Sequence, residues 1–235
     1  MGTALALTAA ALLWGAATGT LLPGAAHRLS VPPDEPWRTT APDGTALPPW
    51  PVPSRALPLP ALTALTAVLC AGLAAAAGPR PELAVWLLAA PVGVLLAVVD
   101  IRVHRLPDLL TLPLAAALPA ALGVAALLPA HAGHWPTSLL ATPAVGAAYL
   151  ALHLLNPSGL AFGDVKLSLA AGASLGWYGW PAVLVGTFTA FVSGALYGLL
   201  LIALRRANRR TAIPFGPFLL GGVYAGVVLG AVAAG

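Results

Sequence analysis

Val85-Trp-Leu-Leu-Ala-Ala-Pro-Val-Gly-Val-Leu-Leu-Ala-Val-Val-Asp100 is a run of fifteen apolar or small residues closed by a carboxylate. Extended back to Glu82, it approaches the roughly 20 residues that a helix needs to cross a hydrocarbon core. Similar runs lie near 3–24, 58–77, 109–129, 137–155, 164–178, 182–203 and 213–234. The pattern predicts an all-α polytopic membrane protein of about eight transmembrane helices, with 1–235 as a single integral membrane domain. The span at 164–178 is the weakest, because Leu167 to Trp177 is short and rich in Gly and Ala, although such small residues permit close helix packing.

The rest of the composition agrees. Of 235 residues, 59% are hydrophobic and 8% charged, and the mean hydropathy is +0.90. Soluble domains carry about 25% charged residues. The net charge of +4 comes from arginines scattered through short loops. It forms no stripe of the kind that binds nucleic acid, so no nucleic-acid partner is expected. The one cysteine, Cys70, lies in an apolar run and excludes a disulfide framework or a cysteine-based metal site.

Basic residues orient the spans. Loops one, three, five and seven hold Arg28, Arg38, Arg55, Arg102, Arg105, Lys166, Arg205, Arg206, Arg209 and Arg210, whereas the even loops hold only Arg80. By the positive-inside rule the odd loops are cytoplasmic and both termini lie outside. The first run carries no basic residue ahead of it, the reverse of a secretory signal, so it is expected to be a retained helix. The arginines from Arg205 to Arg210 read as an inside anchor in contact with membrane lipid. The longest loop, 25–57, holds Pro32, Pro33, Pro36, Pro42, Pro48, Pro49, Pro51 and Pro53 and is expected to bury no core of its own.

Only seven residues are acidic: Asp34, Glu35, Asp43, Glu82, Asp100, Asp108 and Asp164. Asp100 ends the third run and Asp164 begins the sixth. Two crossings separate them, which puts both at the cytoplasmic side. Carboxylates at the edge of hydrocarbon are costly and tend to face a cavity, partner or substrate. Two that share a site can divide general-base and general-acid roles. Bland readings stand beside this one. Asp100 can anchor on Arg102 or Arg105, and Asp164 can serve as a cap or first-turn acid favoured by the helix dipole.

The words around these aspartates carry a resemblance. Asp100-Ile-Arg-Val-His-Arg-Leu-Pro-Asp108-Leu-Leu-Thr resembles the first catalytic motif of the type IV prepilin peptidases. Phe162-Gly163-Asp164-Val165-Lys166-Leu167 resembles their second, Gly-x-Gly-Asp-x-Lys-Leu, the mark of GxGD-type aspartic proteases. Ile213-Pro-Phe-Gly-Pro-Phe218 resembles the Pro-Phe-Gly-Pro signature near the family's C-terminus, and Gly19 to Leu29 is a looser match to its N-terminal stretch. The resemblance spans nearly the whole chain in the family's order. Two departures stand out. Ala161 replaces the first glycine of Gly-x-Gly-Asp, and the loop 25–57 lacks the two Cys-x-x-Cys pairs that bifunctional members carry there. No tetrathiolate zinc can form in that loop, so no metal or other cofactor is expected and N-methylation of the product is doubtful.

The resemblance makes Asp100 and Asp164 the catalytic pair. It implies that Gly163 admits close approach of a substrate strand to Asp164 and that Lys166 steadies its charge, unless Lys166 is simply an inside anchor. Asp108, after Pro107, reads as an N-cap of the next helix with a lesser chance of a catalytic role. Pro214, Phe215, Gly216 and Pro217 are expected to shape the entry of the last helix. His131 and His134 suggest a metal, but they lack a third ligand. The implied activity is endoproteolysis of a type IV prepilin or pseudopilin-like precursor in the cytoplasmic membrane, with the active site facing the cytoplasm. A small proton-coupled transporter is the alternative, disfavoured because acids at midplane and broken-helix repeats are missing. A catalytically dead assembly factor of the same fold would not need both aspartates.

Overall fold

The computed structural model of the chain describes residues 2–32, 35–47, 60–206, 208 and 211–234. Pro33, Asp34, Pro48, Pro49, Pro51, Pro53, Arg55, Arg209 and Arg210 lie outside the described residues. Among those described, nine helices form: α1 (Gly2–Gly19), α2 (Leu22–Leu29), α3 (Pro60–Ala77), α4 (Glu82–Val103), α5 (Asp108–Ala125), α6 (Trp135–Leu155), α7 (Phe162–Trp177), α8 (Trp180–Ala203) and α9 (Gly216–Ala233). All but α2 and α7 are long and apolar enough to cross a membrane, which makes seven where the sequence suggests eight. The protein is an all-helical, multi-pass membrane protein.

The chain divides into two compact units, Met1–Pro107 and Asp108–Gly235. In the first, α1 packs along α3, and α4 lies against α3, α2 and α1. Gly15 makes the first contact possible, since a Cβ there would stand 2.6 Å from the Thr66 carbonyl. The run predicted at 3–24 breaks at Thr20 and Leu21. There Pro23 starts α2, as proline suits a first helical turn.

Part of the proline-rich loop is better organised than its composition suggests. Arg38 donates its backbone N–H to the Arg28 carbonyl, and Leu47 donates to Thr39. An isolated antiparallel bridge joins Thr40 to Ala46, and Ala41 and Leu47 are buried. This stretch has no core of its own; it leans on the end of α2, where His27 meets the Thr40 carbonyl at 3.2 Å.

In the second unit α7 is central, packed by α5, α6, α8 and α9. Its 16 residues span about 24 Å at about 1.5 Å per residue. Every residue from Ala170 to Trp177 is buried. The weak apolar signal at 164–178 has this cause: a helix surrounded by protein needs small residues for close packing more than large ones for lipid. At Gly172 a Cβ would run into the Ala141 carbonyl of α6, and the Ser138 hydroxyl of α6 donates to the Ala173 carbonyl at 2.7 Å. Prolines inside helices, Pro91, Pro113, Pro119 and Pro143, are of the kind that membrane helices tolerate.

Candidate active site

Three described acids are buried: Glu82, Asp100 and Asp164, at 0%, 5% and 3% exposure. Glu82 occupies the first turn of α4, where the helix dipole favours a negative charge. Asp100 occupies the last turn of the same helix, where the dipole offers a carboxylate nothing. Helix stability therefore does not account for an acid at this position. The turn is firmly made. His104, at φ 49° and ψ 43°, ends the helix in the left-handed region and donates its N–H to the Asp100 carbonyl at 2.8 Å. α4 thus runs three residues past Asp100, because a cap and not the hydropathy edge stops it. Leu96 and Val99 beside Asp100 are wholly buried. Arg105 turns its guanidinium to the Pro32 carbonyl at 3.1 Å and over the Trp37 ring at 5.4 Å. Leu106 and Pro107 are buried.

Asp164, in the second unit, is the third residue of α7. Its Oδ2 accepts the Ala161 N–H at 3.2 Å, and its own N–H donates to the Ala161 carbonyl at 3.0 Å. This is the acid half of a capping box, and alanine has no side-chain acceptor to supply the other half. The first-turn reading of Asp164 is thus realised in its geometry, together with burial. Ala161 sits at φ −72° and ψ 151°. That is ordinary extended backbone, so the glycine of the motif is not needed here for conformational reasons. Gly163 is half-buried beside Asp164.

Lys166 does not turn to Asp164. Its Nζ donates to both carboxylate oxygens of Asp108, at 2.6 and 2.8 Å, and lies 5.1 Å from the centre of the Phe162 ring. Asp108 is the first residue of α5, and its carboxylate is engaged by another helix's lysine instead of closing its own N-terminus. Phe162 also meets the His153 ring at 5.5 Å, and His153 Nδ1 lies 2.7 Å from the Leu160 carbonyl.

Gly216 and Pro217 open α9, and the Phe215 carbonyl accepts the N–H groups of Phe218 and Leu219. The Phe215 ring lies 5.1 Å from Phe191 of α8 and 6.2 Å from Tyr149 of α6; Tyr149 and Phe191 are 5.5 Å apart. Tyr149 is 1% exposed. It is invisible as a site residue in sequence, where it is one aromatic in an apolar span. Elsewhere in this unit, His134 donates its N–H to the Trp177 carbonyl and the His131 ring lies 5.9 Å from the Trp177 ring. Among the described residues no three His, Cys, Asp or Glu side chains cluster to hold a metal.

A family profile described as the type IV leader peptidase family matches residues 83–202. The chain belongs to the type IV leader peptidase family. Curated relatives named prepilin leader peptidase/N-methyltransferase include one from Aeromonas salmonicida (strain A449), 35% identical over 170 residues, covering 68% of this chain and 54% of that one. Another, from Burkholderia pseudomallei (strain K96243), is 34% identical and covers 69% and 52%. A third, from Pectobacterium carotovorum subsp. carotovorum, is 32% identical and covers 74% and 61%. The chain spans about half the length of the first of these leader peptidases. No solved structure gives a significant match.

Proposed function

We propose that this chain is a membrane-embedded aspartic endopeptidase that removes the leader of type IV prepilin or pseudopilin-like precursors at the cytoplasmic face. Asp100 and Asp164 are its catalytic pair in this reading. What supports it is that both motif aspartates are buried at helix ends. Burial is costly for a carboxylate with only a structural task. One carboxylate, ionised, takes a proton from water as the water oxygen adds to the scissile carbonyl carbon. The other, protonated, gives its proton to the carbonyl oxygen. The C–N bond then breaks as the first returns its proton to the amine, and the second regains its proton from the collapsing intermediate.

The substrate carries a short basic leader followed by a hydrophobic helix, and cleavage falls at their boundary, commonly after glycine. The arginine asymmetry supports a cytoplasmic site in the cytoplasmic membrane. The proposal covers the proteolytic step; the loop 25–57 holds no cysteine, which makes N-methylation of the product doubtful. Co-expression with a prepilin precursor tests the reading: wild type trims it, while Asp100→Asn and Asp164→Asn each leave it full length. Wild-type processing by either variant refutes the pair. A precursor left intact by wild type, together with proton uptake in vesicles, favours the transporter.

A further inference from the structure

Tyr149 is a buried polar group for which neither the fold nor the motifs account. Its hydroxyl oxygen is out of contact with solvent and has no hydrogen-bond partner among the described residues. An unpaired buried hydroxyl destabilises the fold, a cost that phenylalanine would avoid while filling the same space. The neighbours do not explain it either, since Phe191 and Phe215 offer the ring only aromatic faces and edges.

The antiparallel pairing of α6 and α7 shows where this phenol stands. Gly176 meets Ser138, Gly172 meets Ala141 and Thr142, Gly146 meets Leu169, and His153 meets Phe162. In that register Tyr149 is level with Val165 and Lys166, one to two residues after Asp164 near the start of α7. The aromatic trio ties the same level to Phe215 of the third motif. A neutral O–H donor and a buried carboxylate thus occupy one layer of the second unit.

We propose that Tyr149 is a further catalytic residue of the Asp164 site, its hydroxyl donating a hydrogen bond to the scissile carbonyl oxygen as water adds to the carbonyl carbon. The proposal rests on the peptidase reading above. The tyrosine keeps its own proton throughout. It holds the carbonyl oxygen and shares the charge that develops there, and the proton inventory of the two aspartates is unchanged. A donor already fixed by packing at a water-poor site stabilises such charge without reorganising.

The test is Tyr149→Phe in the purified full chain, with a purified type IV prepilin as substrate and Tyr197→Phe on α8 as the control phenol. Loss of one donor to a developing oxyanion lowers kcat by about 100-fold. KM and the melting temperature in detergent should hold or, for the melting temperature, rise. Tyr197→Phe should match wild type. Wild-type kcat in Tyr149→Phe overturns the proposal, as does a raised KM at unchanged kcat. A lowered melting temperature also overturns it, because the hydroxyl then serves the fold. Failure of the peptidase reading is separately visible, since Asp164→Asn with Tyr149 intact would still cleave.

Discussion

Lys166 and Asp108, 58 residues apart in the chain, form an ion pair in which Nζ reaches both carboxylate oxygens at 2.6 and 2.8 Å. The pair joins Lys166, two residues past Asp164 in α7, to the first residue of α5, so it braces the start of the helix that carries Asp164. Both partners are partly open, with side-chain exposures of 23% and 58%. Exposed pairs of this kind contribute about 0–1 kcal/mol.

The expected result for Lys166→Met or Asp108→Asn is therefore a small loss of stability, under about 1 kcal/mol. Precursor processing should slow by several-fold at most. The two substitutions together should cost little more than either alone, because both remove the same contact. Guanidinium-free thermal melts in detergent and a double-mutant cycle measure this. A strict additive sum would show that the pair does not act as a unit.

Ala161 offers a gain instead of a loss. It stands at the N-cap of α7 in extended geometry and lacks the side-chain oxygen that a capping box requires. Ala161→Ser supplies it, and the expected change is a stabilisation of about 0.5–1 kcal/mol with processing retained. Calorimetry or a thermal melt reads it. A drop in melting temperature would mean that the α6–α7 loop does not hold the turn as its geometry indicates.

The contrast between Lys166 and Ala161 shows what was legible in the chain. Apolar runs, arginine asymmetry and local motifs located the long helices, because hydrocarbon imposes its requirement span by span. The partner of Lys166 was not legible, since a contact between helices 58 residues apart leaves no local pattern. Tyr149 was hidden for a related reason: in a span apolar on all sides, periodicity does not tell which side faces protein. The break between α1 and α2 is marked only by Pro23, and the end of α4 only by the backbone of His104. The organised part of the proline-rich loop exists by borrowing the surface of α2, which composition does not record.

That borrowed surface has a testable fastening. Arg105 links the end of α4 to the loop through the Pro32 carbonyl and the Trp37 ring. A cation over an aromatic ring is worth about 0.5–1 kcal/mol at an exposed site. Arg105→Ala should loosen the stretch from residue 35 to 47, so limited proteolysis cuts it faster while the helices remain protected. Arg105→Lys should rescue only partly, because a lysine lacks the planar group that lies over the indole and the second set of donors. Unchanged cleavage rates in Arg105→Ala would remove this residue from the fastening.

The α6–α7 contact should be one of the least forgiving places in the second unit. A Cβ at Gly172 runs into the backbone of Ala141, and backbone has nowhere to yield without moving a helix. Gly172→Ala is expected to cost about 1–3 kcal/mol, the range for overpacking a close contact. Gly172→Leu should prevent accumulation of folded protein. Gly221 is the matched control: it too is a glycine inside a helix, but nothing lies within 4 Å of where its Cβ would be. Gly221→Ala should hold or gain about 0.5–1 kcal/mol from helix propensity. Because α7 carries Asp164 and α6 carries Tyr149, any Gly172→Ala protein that does fold should lose activity in excess of its loss of stability. Melting temperature and processing rate measured on the same preparation decide this. A fall in both that is matched by Gly221→Ala would show that glycine content, and not the α6–α7 approach, is what the unit requires.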